Sequence, residues 1–420
     1  MNVTIQPTLL KGSIDSISSK SLSHRYVIAA GLARGTSIIQ GVLDCDDLIA
    51  TKEALKHFGV SFDRDHITGS SWTYDGQPID CNESGSTLRF LIPLAMLQDQ
   101  EVLFKGRGNL ANRPLDVYHE LFTPMGISMI SHGQGFLPLS IKGKLKGGHF
   151  HIQSNISSQF ITGLLFSLPL LEKDSIIHFN EIPVSKGYID LTMDVLMKFG
   201  IEIKRIDQGY FIPGNQVYKP LNAVVEGDYS QAAFWMVAGL IAGDIRINKL
   251  NPQSKQGDQQ IVDIIKSMQG SITFDENHQG YQIKRSETKA TTIDLKDIPD
   301  LGPILMVLAS LSLGTTHMIN VDRLIIKESN RLEAMIHALT KLGINIKSGH
   351  NEIWIKGQQS FIGDVTLSGA SDHRIVMALS IAALRARGPI TITDCEAINK
   401  SYPTFFGDFR HLGGIVHESK

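Results

Sequence analysis

"SSKSLSHRYVIAAGLARG", residues 18–35, crowds serines, a lysine and an arginine into the entrance of an otherwise apolar segment. The apolar residues from Leu22 to Leu32 fall at helical spacing, and Ser18 or Ser19 is placed to cap that helix. Lys20 and Arg25 then sit in or near the first turn, where the helix dipole disfavours cations and favours anions. A negatively charged partner would resolve the conflict. The stretch is not a P-loop, because Ser19 and Ile14 stand where that motif needs glycine.

The same phrase is written six times. A polar start precedes an apolar helix, then a short strand, a second helix, and a glycine followed by an apolar strand. The closing glycines are Gly59, Gly126, Gly200, Gly270, Gly343 and Gly413, recurring about every 70 residues, a period that marks internal repetition. Each suits the C′ position of the helix before it. The starts read "SSKSLSHR" at 18, "NESGSTLR" at 82, "NISSQF" at 155, "GDYSQAAF" at 227, "IPDLGP" at 298 and "GASDHR" at 369. The helices that follow, such as "AAFWMVAGLIAG" and "ILMVLASLSLG", have no polar face and must lie inside. Caps alone would explain any one start. Six in register predict an α/β protein of six repeats, three per domain, whose helix amino ends converge on an anion-attracting cleft. The boundary is expected near Val225, giving a first domain over 19–225 and a second over 1–18 with 226–420, with hinge crossings near 18 and 225.

A chain of 420 residues is long enough for two or three cores. Its formal net charge of -2 implies no general attraction to nucleic acid or to an anionic membrane. Cys45, Cys81 and Cys395 form no CxxC pair, so a reducing, cytoplasmic setting is expected. No signal peptide is visible in "MNVTIQPTLL", and the apolar runs near Ala232–Gly243 and Gly302–Gly314 are too short to span a bilayer. The absence of HExxH, of a CxxC pair and of paired Asp/His spacing predicts no metal.

Cations cluster beside the polar starts: Lys20, Arg25 and Arg113 in the first half, Lys327, Arg331, Arg374 and Lys400 in the second. Lys327 and Arg331 are four apart, which places them on one helical face with Glu328 three before Arg331; a surface charge network has the same spacing. Arg25 alone is equally readable as a solvated surface residue, and Asp300, ahead of a very apolar helix, as a plain N-cap or as a base. His24, His57, His119 and His337 read as helix residues without partners, and His373 as a neighbour of ligand.

"SKSLSHR", "NESGSTLRF", "NRPLDVY", "ISSQF", "VSKGYID", "EGDYS", "IPDLGP", "KESNRL", "SDHR" and "NKSYP" occur here in an order that resembles the 5-enolpyruvylshikimate-3-phosphate synthase (3-phosphoshikimate 1-carboxyvinyltransferase) family over essentially the whole chain. The resemblance implies a two-domain enolpyruvyl transferase fold, an inside-out α/β barrel of six βαβαββ-type repeats. It implies closure over shikimate 3-phosphate and phosphoenolpyruvate, no cofactor, and a monomer. Carried over by motif, Lys20, Ser21, Arg25, Ser157, Ser158, Gln159, Ser185, Tyr188, Asp300, Arg323 and Lys327 match the shikimate-phosphate contacts. Lys20, Gly85, Arg113, Gln159, Arg331, Arg374 and Lys400 match the phosphoenolpyruvate set. Lys20, Asp300 and Glu328 are the implied catalytic residues, with Asp300 accepting a proton and Glu328, an acid of raised pKa, donating one.

The implied reaction adds the 5-hydroxyl of shikimate phosphate to C2 of phosphoenolpyruvate while C3 is protonated, then expels phosphate by C–O cleavage. No bond to phosphorus breaks, which agrees with the missing P-loop. Glu83 stands where many family members have Asn, and Arg323 where some do. Gly85 is the small residue that leaves room for glyphosate in this family, so inhibition competitive with phosphoenolpyruvate is expected. Two alternatives remain at this stage: the sister enzyme acting on UDP-N-acetylglucosamine, which carries a cysteine where this chain has Gly108 and an Asn where it has Ser21, and a non-catalytic anion-binding protein on the same scaffold.

Overall fold

The computed structural model describes residues 1–153, 157–180, 183 and 185–419; Asn155 and Ile156, which open the third polar start, lie outside the described residues. The chain divides into two compact units, Met1–Ser19 with Glu226–Lys420, and Lys20–Val225.

One repeat serves for all. The strand Thr292–Asp294 leads into the helix Gly302–Leu311, then the strand Thr315–Ile319, the helix Arg331–Lys341 and the hairpin strands Asn345–Ser348 and Glu352–Lys356. The leading strand pairs in parallel with the second, the second antiparallel with the last, and the hairpin closes the edge. Among the described residues all six sheets have four strands in this order, and none of them closes into a barrel. The parallel pair needs a crossover, and the apolar helix supplies it.

Three sheets borrow a strand. The helix Lys20–Leu32 belongs with a sheet whose leading strand is Asn222–Val224, parallel to Thr36–Gln40. The helix Tyr229–Ala242 belongs with one whose leading strand is Leu10–Asp15, parallel to Gly243–Asn248. Asn2–Gln6 fills the place of the last hairpin strand, between Ile390–Ile392 and Ile415–Ser419. The exchange of leading strands is what makes the chain pass from one unit to the other twice.

The helices without a polar face are buried throughout. In Tyr229–Ala242, only Ser230 is not fully buried, and Gly302–Leu311 is buried from Gly302 to Ser310. Their first-turn N–H groups, which have no partner within the helix, are met by caps: Ser84 accepts from the Thr87 N–H at 3.2 Å, Asp228 from that of Gln231 at 2.9 Å and Asp372 from that of Arg374 at 2.9 Å. The second helices are amphipathic, as in Arg331–Lys341, which buries Met335, Ala338 and Leu339.

Five of the six closing glycines, Gly59, Gly126, Gly200, Gly343 and Gly413, adopt the left-handed conformation that favours glycine at C′. Gly270 does not: Gln269 takes the positive φ, 64°. Gly270 is instead required for close packing, since a Cβ there would lie 2.7 Å from Ile265 Cγ2. The three cysteines are free and buried. Among the described residues no helix is long and apolar enough to cross a membrane, and no group of three or more His, Cys, Asp or Glu could hold a metal ion.

Candidate active site

In the unit Lys20–Val225, residues from the starts of the buried helices are tied to one another. Lys20 is the first residue of its helix, and its Nζ lies 3.0 Å from Asp47 Oδ2. The anion expected beside this first-turn cation is thus partly supplied by the next helix, Asp46–Lys56. Arg25 is buried rather than solvated. It donates to Thr192 Oγ1 (2.8 Å), to the Ser21 carbonyl (2.7 Å) and to the Tyr188 carbonyl (3.1 Å), and its guanidinium sits 5.4 Å from the centre of the Phe90 ring. Burial lowers its pKa to about 10, so it stays a cation at neutral pH. Ser185 takes a left-handed conformation just before the helix Lys186–Lys198, and its carbonyl accepts from the Tyr188 N–H at 3.1 Å.

Arg89 organises the second and third starts. Its Nη1 donates to Gln159 Oε1 at 2.8 Å and its Nη2 to the Pro114 carbonyl at 3.0 Å, while Gln159 Nε2 donates to Ser86 Oγ at 3.0 Å. Ser157 caps the helix Ser158–Ser167 by accepting from the Gln159 N–H, and Ser158 is buried. Arg113 folds over Gly85: a Cβ at Gly85 would lie 2.6 Å from Arg113 Nη1. Ser21, Arg25 and Tyr188 therefore form one group, and Gly85, Gln159 and Arg113 a second that is joined through Arg89 and Pro114.

In the other unit, Asp300 is gripped by three cations. Lys327 Nζ is 3.2 Å from Oδ1, Arg331 Nη1 3.0 Å from Oδ1, and Arg374 Nη2 3.2 Å from Oδ2. Arg374 Nη1 also donates to the Asp300 carbonyl at 3.2 Å. Asp300 is no N-cap. It lies in the turn Pro299–Leu301, and Leu301 precedes the helix without a side-chain cap. Burial alone would raise its pKa, but Arg374, Lys327 and Arg331 override that and hold it well below the usual carboxylate range. Arg331 also meets Glu328 at 2.6 Å and Asp372 at 2.8 Å. Burial opposes its charge, yet Asp372, Glu328 and Asp300 raise its pKa above the ordinary value. Burial lowers the pKa of Lys327, with Asp300 acting against it. Arg323, in the turn Val321–Leu324, is also lowered by burial, against Asp297 and Asp300. Lys400 ends the turn Cys395–Lys400 and is buried.

Lys327 and Arg331 do not share a helical face. The helix begins at Arg331, because the side chain of Asn330 accepts from the Glu333 N–H and caps it there; Lys327 and Glu328 lie in the bend before it. The partnerless reading of two histidines also fails: His24 Nδ1 is 2.9 Å from Thr51 Oγ1 and His57 Nδ1 is 2.9 Å from Asp75 Oδ2.

Residue patterns missed Asp47, Arg89 and Asp372, whose partners are distant in sequence, and Asp258. The Asp258 carboxyl is buried, accepts from Ser230 Oγ, and its pKa is raised to about 7 by burial and then by Asp300. Arg89 and Asp372 lie inside quoted motifs, and a charge buried beside a cap was the available signal; "QGDQQ" around Asp258 offers none.

The model of the family described as EPSP synthase (3-phosphoshikimate 1-carboxyvinyltransferase) matches residues 5–409. The chain belongs to the EPSP synthase family. It is 45% identical to the 3-phosphoshikimate 1-carboxyvinyltransferase of Clostridium acetobutylicum, over 99% of this chain and 98% of that one. It is 42% identical to the enzyme of that name from Clostridium novyi, with the same coverage. Among solved structures, EPSP synthase from Acinetobacter baumannii superposes with a TM-score of 0.82 at 26% identity, over 99% of this chain and 100% of that one. The enolpyruvyl transferase NikO from Streptomyces tendae, 15% identical over 100% of this chain and 98% of its own, shares the fold with a TM-score of 0.79. Membership of the EPSP synthase family agrees with Gly108, whose φ is +56° and where any Cβ would collide with the Glu83 carboxylate. A cysteine there would carry the strain of that positive φ and would have to displace the Glu83 side chain.

Proposed function

We propose that the chain transfers the carboxyvinyl group of phosphoenolpyruvate to the 5-hydroxyl of shikimate 3-phosphate, releasing phosphate, in the shikimate route to aromatic amino acids. The observation that carries the proposal is Asp300 held by Lys327, Arg331 and Arg374 at 3.0–3.2 Å. These cations are matched here by Asp300, Glu328 and Asp372, so an incoming anion would engage them by exchange with carboxylates already in place. In this reading, Arg331, Arg374 and Lys400 with Lys20, Gly85, Arg113 and Gln159 take phosphoenolpyruvate. Lys20, Ser21, Arg25, Ser157, Ser158, Gln159, Ser185, Tyr188, Asp300, Arg323 and Lys327 take shikimate 3-phosphate.

Asp300 as found is too well stabilised to be a good base. A substrate carboxylate or phosphate that engages Arg374 and Arg331 shares their charge, and Asp300 then regains basicity from its burial. It can accept the proton of the attacking hydroxyl. Glu328, bonded to Arg331, is freed by the same exchange; without its cation, desolvation favours the protonated acid that C3 requires. Holding both substrates in attack geometry contributes up to about 7–11 kcal/mol in favourable cases. Every residue invoked lies in one chain, so the reading calls for small anionic substrates and for no second copy, nucleic acid or membrane, in a cytoplasmic setting.

Phosphate release with phosphoenolpyruvate plus either shikimate 3-phosphate or UDP-N-acetylglucosamine tests the reading. Turnover is expected with the first acceptor alone, and Asp300→Asn is expected to lower kcat by about 10²–10⁴-fold. Turnover with the UDP-sugar, or an unchanged kcat in the Asp300 variant, overturns it.

A further inference from the structure

A cavity of about 580 Å³ lies within the unit Lys20–Val225, among residues that follow the carboxyl ends of the helices Lys20–Leu32, Gly85–Ala95 and Ser158–Ser167. Its volume is in the range of pockets that enclose small organic ligands. None of the residues assigned to the reaction lines it.

Part of its wall is apolar, from the buried Leu32, Trp72, Leu145 and Leu171, and part is polar, from Ser70, Ser71 and Gln98. Trp72 is fixed there. Its backbone takes a positive φ of 57°, unusual for a bulky side chain; its ring stacks on Phe58 at 4.6 Å and its Nε1 donates to the Leu94 carbonyl at 2.9 Å. Around this wall stand four exposed cations, Arg34, Lys144, Lys146 and Lys173, against one carboxylate, Glu172.

Helix carboxyl ends carry about half a negative charge each, which by itself would favour a cation. Here carbonyls at and beyond the ends of the second and third of these helices are already engaged. Leu94 accepts from Trp72, Met96 from the Leu145 N–H at 2.8 Å, Pro169 from Gln216 at 2.8 Å and Leu171 from Asn215 at 2.7 Å. The full charges of the side chains therefore decide the sign. We infer that this cavity is a second binding site, for a small organic anion whose apolar body rests on Trp72 and the leucines while its carboxylate or sulfonate meets Lys144, Lys146, Lys173 and Arg34.

Calorimetric titration of the full chain with 2-naphthoate and with its neutral isostere 2-naphthamide tests this, with shikimate 3-phosphate and glyphosate both present to occupy the two sets of catalytic cations. The anion should bind at least about tenfold more tightly than the amide, a difference that added salt reduces. The double variant Lys144→Glu/Lys146→Glu should weaken naphthoate by about tenfold or more and leave naphthamide and phosphate release unchanged. Equal affinity for the two probes, no binding of naphthoate at millimolar concentration, or naphthoate affinity unmoved by the double variant overturns the inference. Trp72→Phe, which puts a smaller phenyl in place of the indole and loses the bond to Leu94, should weaken both probes; unchanged affinity for both overturns the role of the wall.

Discussion

Arg331 Nε lies 2.8 Å from Asp372 Oδ2, and the two side chains are 1% and 0% exposed. A buried ion pair contributes less than its Coulomb attraction suggests, because both charges lose their hydration; removing one partner is nevertheless costly, since the other is left buried and uncompensated. Asp372→Asn keeps a good N-cap for the helix His373–Ala383, removes the charge, and replaces the oxygen that accepts from Arg331 Nε with an amide donor. Urea unfolding should show a loss of about 3 kcal/mol, at the low end of the usual cost because Asp300 and Glu328 still face Arg331. A loss no larger than a surface substitution would mean that the pair is not desolvated.

Gly85 is where Arg113 comes to rest. A methyl group there would sit 2.6 Å from Arg113 Nη1 and 3.0 Å from its Cζ, so Gly85→Ala must push the guanidinium aside. Displacement of an orienting group by about 1 Å costs up to 10²-fold. Steady-state kinetics should show KM for phosphoenolpyruvate rising by about tenfold or more, with KM for shikimate 3-phosphate nearly constant. Glyphosate should compete with phosphoenolpyruvate in the parent chain and lose potency in the variant. Full activity of the parent at high glyphosate, or an unchanged KM in Gly85→Ala, would contradict this geometry.

His24 gives the unit Lys20–Val225 an acid-sensitive element. Burial lowers its pKa to about 3 from an ordinary 6.5. Below pH 6.5 the unfolded chain binds a proton that the folded chain refuses until about pH 3. The stabilisation is therefore complete above 6.5 and declines as the pH falls through that window, by about 1.4 kcal/mol per pH unit. His24→Gln cannot take up the proton. Unfolding free energies of the two proteins should converge by about 2 kcal/mol between pH 6.5 and 5; parallel curves would rule out a neutral buried imidazole.

The sixfold phrase made the repeats, the buried helices and their polar starts readable, because a helix such as Gly302–Leu311 has no face fit for water. What escaped depended on contacts distant in sequence. The exchange of Leu10–Asp15 and Asn222–Val224 between repeats leaves no mark on local periodicity. Nothing in "KESNRL" shows that Asn330 rather than Lys327 opens the helix; that follows from which side chain reaches the Glu333 N–H. At the site, the cations were legible as residue types, whereas nothing local marks Asp47 and Asp372, 27 and 41 residues away from Lys20 and Arg331, as their carboxylate partners.

Ser18 forms an antiparallel bridge with Gly227, and the Ser19 N–H donates to the Glu226 carbonyl at 2.8 Å. In topological language, residues 20–225 are an insertion whose two ends leave a host at neighbouring points. A few glycines in place of the insertion would suffice to reseal the host, and the excised segment carries its own leading strand, Asn222–Val224. Each lobe is in this sense a separable module, open to dissection, to grafting between relatives, and to growth or loss as a single genetic cassette.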